Sequence, residues 1–519
     1  MPSRLASLVL LVAGALAVGS PLSAGAQGSV LRVAVPSVPG SLDPATAIDG
    51  PLPLVARQVF DTLVRHREGT SDVEAGLATH WAVSRDGLSW SFRLREGVRF
   101  HDGTPLEAGL VAASLERVLV PGHPAAPSAN VVAARLFGAT PGIVKEIRVT
   151  DARSVRINLL TPYAPLLTVL AHPGLSITLL RAGETGAGAW LGTGPFSVTE
   201  VRPGRIVLDA NPLYWGGPSR LGRLVFLEEA DPARAERELE ARTLDLLLPA
   251  QPPSRAAGVL SVTGWRIGYL AIQTEKEPFT RKSVRRALAA ALQPPLLSAA
   301  LESTAVPLLS ILPPGVWARR EGSPLMTGDT AGARRLLADA GFPRGFSCVL
   351  LVAPSGAAAQ NRLAEAVRAS LSEAGINVVI RVEAPDMVLR AARAGEHEIV
   401  LLEAPVDGGD PHLLLHPLSA SEGATKGPSA TNLSFYRNRQ LDDLLTRGSQ
   451  IAFRPERQRI YGRAQALLAD ELPWIPLYVR LQWAVARPEV RGFRLHPSGH
   501  HRLDRVWLEG PGAFRPGSP

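Results

Sequence analysis

Two aspartates lie close together in a glycine-rich stretch, where their carboxylates could bind a cation. Asp407 and Asp410 belong to residues 404–411, APVDGGDP, which follow an apolar segment predicted to be a strand over residues 398–403. Ligands of open α/β sheets collect beyond the carboxyl ends of the strands. A carboxylate held in an enclosed site of low dielectric pairs well with a cation. The alternative is that both aspartates only form the turn, and Asp410, which precedes a proline, is the more structural of the two.

Histidines are the other side chains that could bind a ligand. His412 and His416 are four residues apart, a spacing that can place two imidazoles on one helical face for a metal ion. No cysteine or third ligand accompanies them and Pro417 limits any helix, so we favour ordinary loop histidines and predict no metal site. Three histidines near the C-terminus are predicted to form a solvated cluster: His496, His500 and His501.

Catalytic motifs are missing from the sequence. It contains no GxSxG nucleophile elbow, no HExxH metal motif and no GxGxxG between a strand and a helix. Residues 191–196, LGTGPF, are glycine-rich but lack the GxxxxGK(S/T) pattern of a phosphate-binding loop. We therefore expect no enzymatic activity and no cofactor.

The elements that would position Asp407 are predicted to form a parallel sheet. Strands and helices alternate in the segment before it, over residues 347–353, 360–374, 376–382, 386–394 and 398–403. This alternation favours a parallel sheet covered by helices.

Residues 88–119 are predicted to form a hairpin that leads into a capped helix. Apolar and polar residues alternate over 88–94, as in a strand with one buried face. Residues 98–100 are predicted to return as its partner after a tight turn, and Thr104 is predicted to cap the following helix. No residue type here requires catalysis, so we interpret the segment as scaffold.

The same part of the chain carries a family signature. Residues 76–105, GLATHWAVSRDGLSWSFRLREGVRFHDGTP, match almost throughout a pattern typical of the family 5 extracytoplasmic solute-binding proteins, the peptide and nickel receptors of ABC importers. The chain also resembles this family in four shorter motifs: SLDP, FDTLV, GTGPF and NPLYWG.

The resemblance implies an α/β fold of the class II periplasmic-binding-protein type, with two lobes and an accessory subdomain in the first lobe. Such a receptor closes by hinge motion around its solute. The expected divisions are lobe I over residues 27–60, 190–268 and 485–519, the accessory subdomain over 61–189, and lobe II over 269–484.

The resemblance also implies a ligand and a set of site residues. The ligand would be a small peptide or peptide-like solute, delivered to ABC transporter permease subunits in the inner membrane. Asp407 matches the aspartate that binds the ligand's α-ammonium group in peptide-binding members, with Asp410 beside it, and the SLDP loop with Ser41 would face the cleft. Other side chains expected to line the cleft, with core packing as the alternative for each, are Trp265, Tyr269, Gln273, Trp317, Tyr436 and Trp483.

The chain departs from the dipeptide-binding members at one place. Those proteins have an arginine for the ligand's carboxylate between a strand and a helix, whereas residues 354–359 here are PSGAAA and the next arginine is Arg362. A longer peptide, or another cationic solute such as nickel or a metallophore, is therefore an alternative ligand. A secreted hydrolase on the same fold and a periplasmic sensor or chaperone are the alternatives from other classes.

Composition and the N-terminus indicate an exported globular protein. Hydrophobic residues make up 46% and charged residues 20% of the 519 residues, a composition typical of two or three globular domains. The formal net charge of +8 is spread singly along the chain, so we expect no nucleic-acid partner. Residues 1–26 are predicted to be a cleavable signal peptide with no lipid-anchoring cysteine. The mature chain is therefore expected in the periplasm, as a monomer, with the single Cys348 as a buried thiol.

Overall fold

The computed structural model describes residues 29–510 except 121, 125, 127–130, 138–141, 181–189, 255–256 and 355–358. The predicted signal peptide and most of the arginine-free loop over residues 354–359 lie outside the described residues. Within the described ranges, no helix combines the length and the apolar character that crossing a membrane requires.

Strands and helices alternate through most of the described chain. The strands are β1 (Val30–Val35), β2 (Val64–His66), β3 (Val73–Ala75), β4 (Ala78–Val83), β5 (Ser89–Leu94), β6 (Val144–Asp151), β7 (Ser154–Leu159), β8 (Leu179–Leu180), β9 (Trp190–Leu191), β10 (Phe196–Arg202), β11 (Arg205–Ala210), β12 (Arg223–Glu228), β13 (Leu246–Leu247), β14 (Val259–Ile272), β15 (Ala305–Pro307), β16 (Phe346–Val352), β17 (Ile376–Val382), β18 (Ile399–Pro405), β19 (Trp474–Ala486), β20 (Val490–Arg491) and β21 (Trp507–Leu508). The helices are α1 (Leu52–Val59), α2 (Ala108–Leu119), α3 (Val131–Leu136), α4 (Leu166–Leu170), α5 (Pro232–Glu240), α6 (Lys282–Ala291), α7 (Pro294–Leu301), α8 (Thr330–Asp339), α9 (Ala359–Glu373), α10 (Pro385–Ala394), α11 (His412–Ser419), α12 (Arg439–Gln450) and α13 (Arg454–Glu471).

One long sheet has two halves joined by its two longest strands. Its strand order is β10-β11-β12-β1-β13-β19-β14-β18-β16-β17, with β15 also paired to β19. The strands β1, β12 and β13 run parallel in the first half, and β16, β17 and β18 run parallel in the second. β14 and β19 pair antiparallel between the halves, with register shifts after Thr263 and after Gly268. The predicted parallel, helix-covered sheet over residues 347–403 is confirmed, and Cys348 is buried within it.

A separate four-stranded sheet, in the order β4-β5-β7-β6, contains the signature segment. The predicted return strand over residues 98–100 is wrong, because β5 pairs with β4 and β7 instead. The predicted cap at Thr104 is also wrong, since Asp102 Oδ2 accepts the Thr104 hydroxyl at 2.9 Å and the helix α2 begins at Ala108. Residues 98–106 form a closed loop, in which Leu106 N–H donates to the Val98 carbonyl at 2.9 Å.

Three of the shorter motifs meet around Asp61, in what we call the motif cluster (Asp61, Gly192, Thr193, Gly194, Tyr214 and Trp215). The Asp61 carboxylate accepts hydrogen bonds from the Thr193 hydroxyl at 3.0 Å, the Tyr214 hydroxyl at 3.2 Å and the Trp215 indole N–H at 2.8 Å. Burial raises the pKa of Asp61, although the bonds from Trp215 and Thr193 act in the opposite direction.

The glycines of the motif cluster are required by close backbone packing. A Cβ at Gly192 would lie 2.0 Å from the Val59 carbonyl oxygen, and one at Gly194 would lie 2.5 Å from the same oxygen. Only glycine allows the GTGPF segment to pack against the end of α1 in this way. The glycine-rich residues 191–196 are therefore structural, which agrees with the absence of a phosphate-binding pattern.

Candidate functional site

A cavity of about 440 Å³ lies where all three predicted divisions of the chain meet. The predicted lobe I contributes residues 35–37, 48–51 and 497–501, and the accessory subdomain contributes His66, Arg135 and His172. The predicted lobe II contributes residues 405–408, after β18, together with Gln482 and Trp483 of β19. A volume of this size is in the range of small-molecule sites, and the loop after β18 is at the carboxyl end of a parallel strand, where ligands of such sheets bind.

Asp407 lies in the wall of this cavity and is paired with an arginine. Arg135 donates from Nε to Asp407 Oδ2 and from Nη2 to Asp407 Oδ1, both at 2.9 Å. The two side chains are 21% and 11% exposed, so the pair is largely shielded from solvent. This bidentate geometry is the strong form of an arginine–carboxylate interaction.

The pair extends into an ion network that joins four residues: Asp49, Arg135, Arg266 and Asp407. Arg135 Nη1 donates to Asp49 Oδ2 at 2.6 Å, and Arg266 Nη2 donates to Asp49 Oδ1. Burial alone would lower the pKa of Arg135, but Asp407 and Asp49 outweigh it and the pKa is raised. The network is electrically balanced, with two carboxylates and two guanidinium groups.

His172 lies beside the network and has a buried N–H donor. Its Nδ1 accepts from the Gly174 backbone N–H at 3.0 Å, so Nδ1 is unprotonated and the neutral ring carries its proton on Nε2. Nε2 is buried and has no hydrogen-bond partner within the described part of the chain. Burial lowers the pKa of His172 to about 4, so the ring is neutral at pH 7.

Two of the three C-terminal histidines are buried and His500 is half-buried, so the prediction of a solvated cluster is wrong. His496 and His501 are 4% and 3% exposed, and His500 and His501 line the cavity. Burial lowers the pKa of His501 to about 3. The residues lie here because the segment after β19 packs back against α1, where Gln58 Nε2 donates to the His501 carbonyl at 2.9 Å.

His412 and His416 lie outside the cavity, on α11. The helix forms despite Pro417, contrary to the predicted loop, and the two rings are 4.6 Å apart between centroids. Among the described residues, no group of three His, Cys, Asp or Glu side chains has the arrangement of a metal site.

Of the nine side chains predicted for the site, the structure places three in the cavity wall: Trp265, Asp407 and Trp483. Asp410 is 2% exposed and both of its oxygens accept from Arg457 at 2.9 Å, and Oδ1 also accepts from the His412 backbone N–H. Asp410 therefore fixes α11 and α13 rather than facing a ligand.

The other five predicted side chains do not line the cavity. Ser41 is exposed and its hydroxyl accepts from the Asp43 backbone N–H at 3.2 Å, while residues 35–37 of the same loop line the cavity instead. Tyr269 packs edge-on against Trp474, and Gln273 Nε2 donates to the Gly395 carbonyl at 3.4 Å. The remaining two have contacts elsewhere in the predicted lobe II: Trp317, under Arg454 and Arg457, and Tyr436, bonded to Asn438.

The cavity residues that sequence reasoning missed are polar groups scattered along the chain. They are Asp49, His66, Arg135, His172 and Arg266. None belongs to a motif, although Asp49 lies a few residues after the SLDP loop and His66 lies two residues after FDTLV. Arg362, the first arginine after the loop over residues 354–359, bonds to Glu302 at 2.6 Å and does not line the cavity.

Comparison with known proteins places this architecture in a family. Residues 72–426 match the family model described as bacterial extracellular solute-binding proteins, family 5 Middle. Di/tripeptide-binding protein 2 of Pseudomonas aeruginosa is 30% identical over 516 residues, covering 93% of this chain and 96% of that protein. Heme-binding protein A of Haemophilus influenzae is 29% identical over 505 residues, covering 91% of each.

A solved structure gives the same result for the fold. The structure of HbpA2 from Haemophilus parasuis matches with a TM-score of 0.84 and 25% identity, and the match covers 92% of this chain and 100% of that one. The predicted two-lobed α/β fold and the family signature in residues 76–105 are thus confirmed. The chain belongs to family 5 of the bacterial extracellular solute-binding proteins.

Proposed function

We propose that this protein is a periplasmic receptor that captures a peptide-like solute in the cavity and delivers it to the permease subunits of an ABC importer. The observation that carries the proposal is the cavity itself, whose walls come from both halves of the sheet and from the accessory segment. A ligand bound there contacts all three parts, so it would favour a closed arrangement over an open one. The name of the P. aeruginosa relative supports a peptide as the ligand.

The chemistry of the walls suits a peptide. Trp265 and Trp483 provide aromatic surface, and Arg266 provides N–H donors for carbonyl or carboxylate oxygens. Asp407, which the family resemblance predicts to bind the ligand's amino group, lies in the same wall with Arg135 on both of its oxygens. We assign no ligand contact to Ser41, Tyr269, Gln273, Trp317, Tyr436 or Asp410, because their partners are in the protein.

The histidines of the cavity favour hydrogen bonding over direct metal coordination. His172 Nδ1 accepts from Gly174 N–H, and His501 Nδ1 accepts from His496 N–H at 3.0 Å. Each ring therefore carries its proton on Nε2, and coordination through Nε2 would require the loss of that proton. A nickel or metallophore receptor, like a haem receptor suggested by the H. influenzae relative, is for this reason the second candidate.

The contact between Ser498 of the cavity wall and His496 does not favour a hydrolase. Ser498 Oγ lies 2.7 Å from His496 Nδ1, which is close enough for a nucleophile and its base. Burial, together with the nearby Arg57 cation, lowers the pKa of His496 well below its ordinary value, so the imidazole is too weak a base for the task. We infer that the protein binds and does not catalyse, and that it acts as a monomer without nucleic acid.

A thermal-shift screen of the mature chain, residues 27–519, tests the proposal. Di- and tripeptides, a nickel–histidine complex and haem are the probes. A true ligand stabilises the folded protein by RT ln(1 + [L]/Kd), about 2.7 kcal/mol at a hundredfold excess over Kd. The matched control is Ala250→Trp, which places a large side chain in the cavity wall and should abolish the shift. Stabilisation by the nickel complex or haem and by no peptide would favour the second candidate, and stabilisation by no probe, or turnover of an ester or amide, would reject the receptor function.

A further inference from the structure

Asp407, the carboxylate that the family resemblance predicts to bind the ligand's amino group, already has a cation bound to it. Both of its oxygens accept from Arg135, and the Nη1 of the same guanidinium bonds to Asp49 and, at 3.4 Å, to the Ile48 carbonyl. Asp49, Arg135 and Asp407 belong to three different predicted divisions of the chain: lobe I, the accessory subdomain and lobe II. Four of the five N–H donors of Arg135 thus have acceptors in the protein without any ligand.

A ligand ammonium at Asp407 has to replace this arginine. The exchange would substitute a point charge for a bidentate, charge-assisted pair. It would also leave Arg135 with Asp49 as its only carboxylate partner. The α-amine of a ligand therefore adds little to the free energy of binding, because its interaction with Asp407 is offset by the interaction that Arg135 loses.

Arg266 presents hydrogen-bond donors at the cavity. For Arg266 the described residues supply a partner only to Nη2, whereas His172 Nε2, also without a partner among them, is buried and does not face the cavity space. Arg266 is 33% exposed and lines the cavity beside the network. The N–H donors of a guanidinium recognise a carboxylate or a carbonyl.

We propose that Arg135 is a built-in counter-ion for Asp407, so that the site selects an acidic peptide-like solute whose amino group is blocked or makes no contact with Asp407. Arg266 holds the carboxylate of that solute. This inference rests on the proposed receptor function and names its substrate class. Arg135 acts as a specificity-determining residue by keeping Asp407 occupied.

The test compares one peptide with its N-blocked form by titration calorimetry. Trialanine and N-acetyl-trialanine are titrated into the wild type, Arg135→Gln and Arg454→Gln. Arg454 donates to Asp72 at 2.7 Å outside the cavity wall, so Arg454→Gln is the matched loss of an arginine–aspartate bond. In the wild type and in Arg454→Gln, the two Kd values should agree within about threefold.

Removal of Arg135 should create a preference for the free amine. In Arg135→Gln, trialanine should bind about tenfold more tightly than N-acetyl-trialanine, because Asp407 is then without its cation. Arg135→Lys, which retains the charge in a form that cannot bind both oxygens, should fall between the two. It also provides a measurement if Arg135→Gln folds poorly.

Carboxylate recognition gives a second arm. C-terminal amidation of N-acetyl-trialanine should weaken binding to the wild type by about tenfold, and Arg266→Gln should remove most of that difference.

Two results would overturn the inference while the receptor function survives. One is an affinity of the wild type that falls about tenfold when trialanine is N-acetylated. The other is a ratio of the two Kd values that is the same in both Arg135 variants as in the wild type. Absence of binding by every peptide to every variant would overturn the receptor function and this inference together.

Discussion

Two aspartate-centred clusters organise the molecule in opposite ways. In the motif cluster, Asp61 is bound by three neutral donors, all of which belong to motifs that can be recognised in the sequence. In the ion network, Asp407 is bound by Arg135, a residue 272 positions away in no motif. The first cluster is required by backbone packing and marks the family. The second is assembled by side chains from distant segments and faces the ligand cavity.

The comparison predicts that changes in the motif cluster affect folding but not ligand binding. Gly192→Val should have the largest effect, lowering the free energy of unfolding by about 3 kcal/mol, since its side chain meets the Val59 backbone. Chemical denaturation measures the change. Gly109→Ala, at a helical glycine with open space around it, is the control and should be neutral or stabilise by about 0.5 kcal/mol. Equal effects of the two substitutions would contradict the packing argument.

Asp61→Ala should have the next largest effect. It leaves the donors of Thr193, Tyr214 and Trp215 without their acceptor, which costs about 2–3 kcal/mol of unfolding free energy. The Kd of a peptide ligand should change by less than about threefold in the same variant. A loss of binding without a loss of stability would move Asp61 from the scaffold into the site.

The cavity should make stability depend on pH through His172. Burial lowers its pKa to about 4 in the folded protein, whereas the pKa is about 6.5 in the unfolded chain. Between pH 4 and pH 6.5 the unfolded state therefore binds more protons than the folded state. The contribution of His172 to the free energy of unfolding is fully present above pH 6.5 and is lost as the pH falls towards 4. About 2 kcal/mol of it is lost by pH 5. His172→Asn, which keeps an acceptor for Gly174 N–H, should flatten this part of the profile.

The control for the pH profile is His80→Gln, at an exposed histidine of β4. It should leave the slope of unfolding free energy against pH as in the wild type, because solvent surrounds this side chain in both states. If His172→Asn also leaves the slope unchanged, the burial of the His172 ring in the folded state is contradicted.

Asp407→Asn should have the smallest effect on stability, about 1 kcal/mol, because Arg135 keeps Asp49 as a partner. Thermal unfolding of the unliganded protein measures this change. A double-mutant cycle with Arg135→Gln should show that the two losses are not additive. Additive losses would mean that the pair does not interact in solution.

These two clusters also mark the limits of what the sequence could predict. The spacing of apolar residues predicts the alternation of strands and helices around β16, β17 and β18, and the position of Asp407 beyond β18 follows from that topology. The loop over residues 98–106 escaped prediction because Asp102 competes for the hydroxyl of Thr104. A side-chain contact of short range overrode a plausible capping pattern.

The polar walls of the cavity could not have been predicted from local pattern. Arg135 lies on the six-residue helix α3, with no signal beyond its charge, and meets Asp407 only through the tertiary fold. The C-terminal histidines resemble a solvated tail in sequence, and their burial depends on the packing of that segment against α1. Specificity is therefore encoded in contacts between segments, which a single sequence does not reveal.

The most direct test of the central claim is the position of a bound peptide in a crystal structure of the mature protein, obtained with the peptide that stabilises it most. We predict that the peptide lies in the cavity, within about 4 Å of Trp483 and Arg266, with the Arg135–Asp407 pair intact. Peptide bound in the separate groove formed by Arg286, Arg320 and Gln465, with the cavity empty, would contradict the account.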